Sequence, residues 1–213
     1  MKKHATAAYV MTAAFFLTGC ANDGIVEALK STETIEPIQQ TIVSEINAVT
    51  KQEKGLQETF ELALSKEQKT NPFTDENSAV FKNIEERKNS VKTINESTTK
   101  LNTTQKSLVE NDGDKLPEDT MNSLTDSMKE LSTSLNEYTK QYSKNLVEEE
   151  KYFKSLGTKE ATYQTLTDGM TTVNELDTSN KEQLKKLNKQ FNQLNKYRTE
   201  AEKTLNSLSD STK

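Results

Sequence analysis

The feature that most constrains the fold is an apolar stripe, largely of seven-residue period, that recurs in four consecutive segments of the chain. Its first copy consists of Ile35, Ile42, Val49, Leu56 and Ala63. Residues seven apart lie on one face of an α-helix, whereas a half-buried strand needs strict alternation, which these segments lack. The pattern therefore predicts long helices that each bury a narrow seam, as in coiled coils.

Turn-forming residues separate the four segments. Pro72 lies within QKTNPFTDEN, Pro117 follows NDGD, and Gly157 precedes a threonine, while Pro37 marks the start of the first stripe. Short connections between long helices favour antiparallel neighbours. The sequence thus predicts an all-α fold, an elongated four-helix up-and-down bundle with coiled-coil-like packing over residues 37–209. Its helices are predicted at about 37–67, 78–110, 117–156 and 159–209.

A polar residue interrupts the stripe of the fourth segment, where Asn180 occupies a seam position. One hypothesis is a buried polar layer that fixes helix register or lets the bundle flex. Reflection about Gly157 would place this layer opposite residues near Ser134 and Glu137. If the layer is underfilled, Asn180→Leu should stabilise the bundle by about 1–3 kcal/mol. The alternative is that the helix rotates, so that Leu176 takes the seam and Asn180 faces water.

The N-terminus has the pattern of a bacterial lipoprotein signal. Two lysines at positions 2–3 precede a mostly apolar run that is too short for a comfortable membrane span. The run ends in Leu17, Thr18, Gly19 and Cys20, which match a lipobox, and Cys20 is the only cysteine of the chain. An ordinary cleaved signal with an incidental cysteine is the alternative.

This pattern predicts a lipoprotein signal peptide at residues 1–19, a lipidated tether at 20–36 and a diacylglyceryl anchor on Cys20. The protein would then lie at the extracytoplasmic face of the cell membrane. Removal of residues 1–19 removes two lysines and no acid, which changes the formal charge from -5 to -7. A negative charge argues against nucleic acid as a partner and against simple attraction to anionic lipid or wall polymers.

The side-chain inventory argues against catalysis. Beyond the signal the chain has no histidine and no second cysteine, which excludes Ser-His, Cys-His and histidine-metal sites. The glutamates at 148–150 could bind calcium or supply a general acid, but such runs are usually solvated helix faces. Asp112 and Asp114 flank Gly113 without a calcium-loop pattern, which indicates a plain turn. We therefore expect no enzymatic activity, no cofactor and no metal site.

Aromatic residues concentrate around the third predicted turn. An antiparallel hairpin would bring them to one end of the rod as a contact patch for sugar rings or a partner protein. The alternative is that Tyr138 and Tyr142 fill seam positions in the core. The residues of the predicted patch are Tyr138, Tyr142, Tyr152, Phe153 and Tyr163.

The layout of the chain resembles that of the YkyA-type cell-wall-binding lipoproteins of low-GC Gram-positive bacteria. The resemblance covers the lipobox, the four helical segments and two stretches, EEEKYFKSL and LKKLNKQFNQLNKYRTEAEK. In the second stretch Leu187, Phe191 and Tyr197 match the family's pattern. The resemblance implies a four-helix bundle outside the cell, and it carries over no catalytic residue.

These observations predict a non-enzymatic, membrane-anchored surface lipoprotein. Its helical scaffold would present polar faces to cell-wall polymer or to an envelope protein. The alternative is an accessory subunit that docks on a membrane or secretion complex through exposed helix faces. An enzyme or small-ligand receptor is disfavoured, because a thin core leaves little room for an enclosed pocket.

Overall fold

The computed structural model describes residues 20–65, 71–113 and 115–211, and the predicted signal peptide with Leu17, Thr18 and Gly19 lies outside them. The described residues form helices and no strand. The helices are α1 (Cys20–Glu33), α2 (Ile35–Leu64), α3 (Ala79–Val109), α4 (Glu118–Leu156) and α5 (Tyr163–Ser211).

Helices α1 and α2 form one nearly continuous column that is interrupted only at Thr34. Pro37 has no backbone N–H to donate to the carbonyl of Glu33, and its ring crowds that carbonyl, so the helical ladder breaks here. Thr34 keeps helical dihedral angles, φ -74° and ψ -17°, and therefore the chain does not turn back at the break. The interruption changes the hydrogen bonding of the column but not its overall course.

The prediction of a tether at residues 20–36 is wrong, because α1 packs against α5, with smaller contacts to α3 and α2. Ile25 and Ala28 are fully buried, as is Thr32, whose hydroxyl donates to the carbonyl of Ala28 at 2.8 Å. Together with Ile35 these residues extend the first apolar stripe toward the N-terminus at helical spacing. The bundle therefore begins well before Pro37.

The helices pack as successive antiparallel neighbours, α2 on α3, α3 on α4 and α4 on α5, and α5 returns alongside α1 and α2. Two contacts show the antiparallel register of α2 and α3. Thr34, just before α2, lies beside Thr104, whereas Gln52, farther along α2, accepts a hydrogen bond from Asn83, near the start of α3. The predicted all-α helical bundle is confirmed. Its longest helix, α5, has 49 residues and extends about 74 Å at 1.5 Å per residue.

The core of the bundle consists of the predicted seams. Ile42, Val49, Leu131 and Leu135 are fully buried. In α5 the buried apolar residues lie in its second half and are Leu187, Leu194, Ala201 and Leu205. By contrast, residues 163–179 of α5 contribute no buried side chain among those described. The first third of α5 is thus held to the bundle much more weakly than the rest. Within the described part of the chain, no helix is long and apolar enough to cross a bilayer.

A close backbone contact joins the start of α1 to the loop between α3 and α4. Asn111 donates its side-chain N–H to the carbonyl of Gly24 at 2.8 Å, and its Oδ1 accepts the N–H of Gly113 at 3.1 Å. A Cβ on Gly113 would lie 2.9 Å from the Cα of Gly24. The NDGD segment is therefore the turn on which α1 docks, while Asp114 lies outside the described residues.

We expect Gly113→Ala to lower the free energy of unfolding by about 1–3 kcal/mol, the usual cost of forcing extra atoms into a packed contact. Gly55→Ala is the matched control, because a Cβ at Gly55 meets nothing within 4 Å. That variant should stabilise α2 by about 1 kcal/mol through helix propensity. Urea unfolding measures both effects, and amide exchange of residues 24–33 should accelerate only in Gly113→Ala. Equal midpoints for the two variants would contradict the close contact.

Candidate functional site

The residues of the predicted aromatic patch do not form a common surface. Tyr138 and Tyr142 are each 1 % exposed and Phe153 is 2 % exposed, so these three fill the core. Tyr152 is half-buried, whereas Tyr163 is 80 % exposed. The contact-patch interpretation is therefore wrong for the buried residues, because their seam positions turn them into the bundle.

An aromatic cluster instead closes the end of the bundle opposite Cys20. The ring of Phe153 lies 5.6 Å from Phe60, 6.3 Å from Phe73, 6.5 Å from Phe81 and 5.3 Å from Tyr152, centroid to centroid. Three helices and the loop between α2 and α3 contribute to it. This cluster packs the end of the rod and leaves little ring surface for a ligand.

The start of α5 is held on this end by Tyr152. Its hydroxyl donates to the carbonyl of Leu166 at 3.2 Å. Its ring packs on Gly169 so closely that a Cβ added there would lie 2.0 Å from a ring carbon. Burial raises the pKa of Tyr152 to about 12. The hydroxyl is therefore protonated at neutral pH and remains a donor.

A buried polar network crosses the bundle about two helical turns from the aromatic cluster. At its centre Arg87 of α3 is 2 % exposed and forms a two-pronged ion pair with Glu149 of α4, in which Nη1 donates to Oε2 at 3.0 Å. Arg87 also donates through Nε to Asn83 at 2.9 Å and through Nη1 to the hydroxyl of Tyr142 at 3.3 Å. Tyr142 in turn donates to Glu53 of α2 at 2.9 Å.

This network corrects the interpretation of the glutamate run as a solvated face. Glu149 is 6 % exposed, Glu150 is half-buried and pairs with Lys88 and Lys154, and only Glu148 lies on an exposed position. The hydrogen bonds from both lysines lower the pKa of Glu150. Among the described residues no cluster of histidine, cysteine or acidic side chains is arranged to hold a metal ion.

The electrostatics of the network keep its members in defined charge states. Burial alone would lower the pKa of Arg87, but the hydrogen bonds and the negative charge of Glu149 raise it above its ordinary value. Burial raises the pKa of Tyr142 well above its usual range, against the opposing charge of Arg87. Arg87 therefore stays charged and Tyr142 stays protonated. The bonds join α2, α3 and α4 in one register, which is a structural role.

Asn180 extends this network to α5 as a buried polar residue. It is 4 % exposed and its side-chain oxygen accepts a hydrogen bond from Asn145 at 3.0 Å. Its side-chain Nδ2 donates to Oε1 of Glu53 at 3.4 Å. The alternative in which Asn180 faces water is therefore wrong. The predicted neighbours near Ser134 and Glu137 are also wrong, because residues 157–162 form a connection and shift the register between α4 and α5.

The expected gain from Asn180→Leu is reversed by this geometry. Leucine would leave the side-chain N–H of Asn145 without its acceptor and would remove one of the hydrogen bonds to Glu53, so we expect a loss of about 1–3 kcal/mol, the cost of an unsatisfied buried polar group. Asn174→Leu, at an exposed position of the same helix, is the matched control. Urea midpoints that rise for Asn180→Leu would show that the bonds are not maintained in solution.

An open groove between α2 and α5 is the accessible feature best suited to a ligand. It has a volume of about 480 Å³ and lies around the middle of the column that α1 and α2 form. Five amide side chains line it, three from one helix and two from the other: Gln39, Gln40, Asn47, Asn192 and Asn195. The remaining lining residues are Glu36, Val43, Ser44 and Phe191.

The groove is almost free of uncompensated charge. Glu36 is its one charged lining residue, and Arg198 pairs with Glu36 at 3.2 Å. Arg198 is itself 8 % exposed and pairs with Glu202 at 2.6 Å. Asn47 and Asn192 are exposed, and neither side chain bonds to any other part of the described chain. The groove therefore offers free amide donors and acceptors beside the half-buried ring of Phe191.

Sequence reasoning did not identify this groove, although part of its signal lies in the stretch that carries the family resemblance. Phe191, Asn192 and Asn195 belong to that stretch, LKKLNKQFNQLNKYRTEAEK. The family profile whose description is "Putative cell-wall binding lipoprotein" matches residues 24–204, from the first turns of α1 to the last turns of α5. The chain belongs to the YkyA family. This match confirms the resemblance. No curated protein and no solved structure matches the chain significantly.

Proposed function

We propose that this YkyA-family protein is a non-enzymatic lipoprotein that is anchored at Cys20 to the outer face of the cell membrane and binds the cell wall. The observation that carries the proposal is the family match over residues 24–204, which spans nearly the whole helical bundle. The described elements give the bundle a rod-like form with long polar faces, and such a form suits binding along a polymer.

The position of α1 supports a membrane-proximal attachment. Its helix includes Cys20, and Ile25, five residues farther on, is fully buried. A lipid on Cys20 would thus be separated from the packed bundle by only a few residues. The loop between α3 and α4 would stand near the lipid headgroups. The aromatic cluster would stand at the far end, about 60 Å from Cys20 along the helical column at 1.5 Å per residue.

The absence of histidine and of a second cysteine beyond the signal supports a binding role rather than a hydrolytic one. The buried carboxylate of Glu149 is occupied by Arg87, so it is not free to act on a substrate. Purified protein should accordingly leave peptidoglycan intact in a zymogram.

The anchor is tested by Cys20→Ala. We expect this variant to lose incorporation of a fatty-acid probe and to leave the membrane fraction as a released protein or to remain as an uncleaved precursor. Labelling equal to that of the parent would refute the anchor. Wall binding is tested separately by co-sedimentation of the mature lipoprotein with purified wall sacculi. A parent protein that stays in the supernatant would refute the wall-binding part of the proposal.

A further inference from the structure

We propose that the groove between α2 and α5 binds an uncharged, N-acetylated glycan strand. This inference rests on the proposed wall-binding function and names both the site and the ligand class. The groove is lined by amides and by one half-buried phenylalanine ring, a combination that can bond hydroxyl and acetamido groups and pack against a sugar face.

The charge of the lining decides against an anionic polymer. No lysine lines the groove, and the nearest arginine, Arg198, already bonds Glu36, Glu202 and Asn195. Phosphate or carboxylate groups would therefore find no free cation, while the chain as a whole carries a net charge of -5. A neutral strand would meet no charge repulsion at this surface.

The hydrogen-bonding state of the lining favours a polar ligand over an apolar one. Asn47 on α2 and Asn192 on α5 face the same groove, and neither amide is occupied by a described residue. Gln39 is 8 % exposed and reaches across the floor, with its Nε2 3.5 Å from the carbonyl of Phe191. The floor is thus fixed, and the two asparagines at the rim are free to bond a ligand.

The groove also lies at an accessible height on an anchored protein. Its α2 residues are 16 to 27 positions beyond Cys20, which corresponds to about 24–40 Å along the helical column. A strand of wall glycan above the headgroups could reach it without insertion of the protein into the membrane.

The test uses the mature lipoprotein in a detergent that has no sugar headgroup. Its probes are a β-1,4-linked tetramer of N-acetylglucosamine, studied by calorimetry, and sacculi stripped of anionic polymers, studied by co-sedimentation. Two variants alter the groove, Asn47→Ala/Asn192→Ala and Phe191→Leu. The matched control is Asn102→Ala/Asn206→Ala, which removes two exposed amides from other surfaces of α3 and α5. Thermal unfolding monitored by circular dichroism verifies that each variant is folded.

We expect both groove variants to bind the tetramer and the stripped sacculi about tenfold more weakly or worse, a loss comparable to one or two hydrogen bonds. The control should bind as the parent does. Parent-like binding by folded groove variants would overturn the groove assignment and leave wall binding intact. A parent protein that binds intact wall but not sacculi stripped of anionic polymers would overturn the assignment of a neutral glycan as the ligand. A parent that binds neither probe nor intact wall would refute the inference and the proposed function together.

Discussion

Glu149→Gln is expected to lower the free energy of unfolding by about 3–5 kcal/mol, because it leaves the charge of Arg87 buried without its counter-charge. Arg87 is 2 % exposed, so solvent can do little to compensate its charge. Glutamine has nearly the shape of glutamate but accepts through one oxygen only, so one prong of the pair is lost along with the charge. Urea unfolding at neutral pH measures the effect.

The neighbouring residue supplies the control. Glu148 pairs with Lys151 on the surface, with its side chain 57 % exposed, and Glu148→Gln should change stability by less than about 0.5 kcal/mol. The loss in Glu149→Gln should persist at high salt, because a buried pair is screened weakly. Equal and small effects at the two positions would mean that water reaches the Arg87–Glu149 pair.

A double variant distinguishes the net contribution of the ion pair to stability from the penalty of leaving one buried charge unpaired. Arg87→Met/Glu149→Leu removes both charges together, and we expect it to recover most of the stability that Glu149→Gln loses. If the double variant is as unstable as the single one, the bonds from Arg87 to Asn83 and Tyr142, which the double variant also lacks, contribute the stability instead. The same urea experiment decides between these results.

The fold class could be predicted from the sequence because the apolar period persists through all four segments, so each segment requires one buried face. The start of the bundle could not be predicted from Pro37 alone. Proline breaks the helical ladder, but Thr34 keeps helical dihedral angles across the break. The continuing spacing of Ile25, Ala28 and Ile35 was the signal that α1 belongs to the core.

The polar network could be predicted from the sequence less well than the start of the bundle. Arg87 stands between Ile84 and Val91 at helical spacing, as Glu149 stands between Leu146 and Phe153. A charge in a seam indicates either a rotated helix or a buried pair, and the register between α3 and α4 decides which. That register depends on the conformation of the loop that joins them, and the stripe carries no information about it.

The groove exists because α2 and α5 stand apart, and the separation of two helices is not encoded in a local sequence pattern. Helix α2 belongs to the first column of the bundle and α5 is its last helix, and these two helices touch much less than the sequential neighbours do. How far apart they stand is set by the size of the core residues between them. The amides that line the groove, such as Asn47 and Asn192, cannot be distinguished in the sequence from other solvent-exposed residues.

Phe153→Ala is expected to cost about 3–5 kcal/mol, the usual range for a buried phenylalanine truncated to alanine. The ring is 2 % exposed and contacts four other aromatic rings, including Phe60 on α2 and Phe81 on α3. Its loss would open a cavity at the end of the bundle where the start of α5 is already weakly held, so amide exchange of residues 163–179 should accelerate most. Tyr163→Ala is the matched control, since its ring is 80 % exposed at the same end and should contribute less than about 0.5 kcal/mol. A loss in Phe153→Ala no larger than that of Tyr163→Ala would show that the aromatic cluster does not hold the helices together.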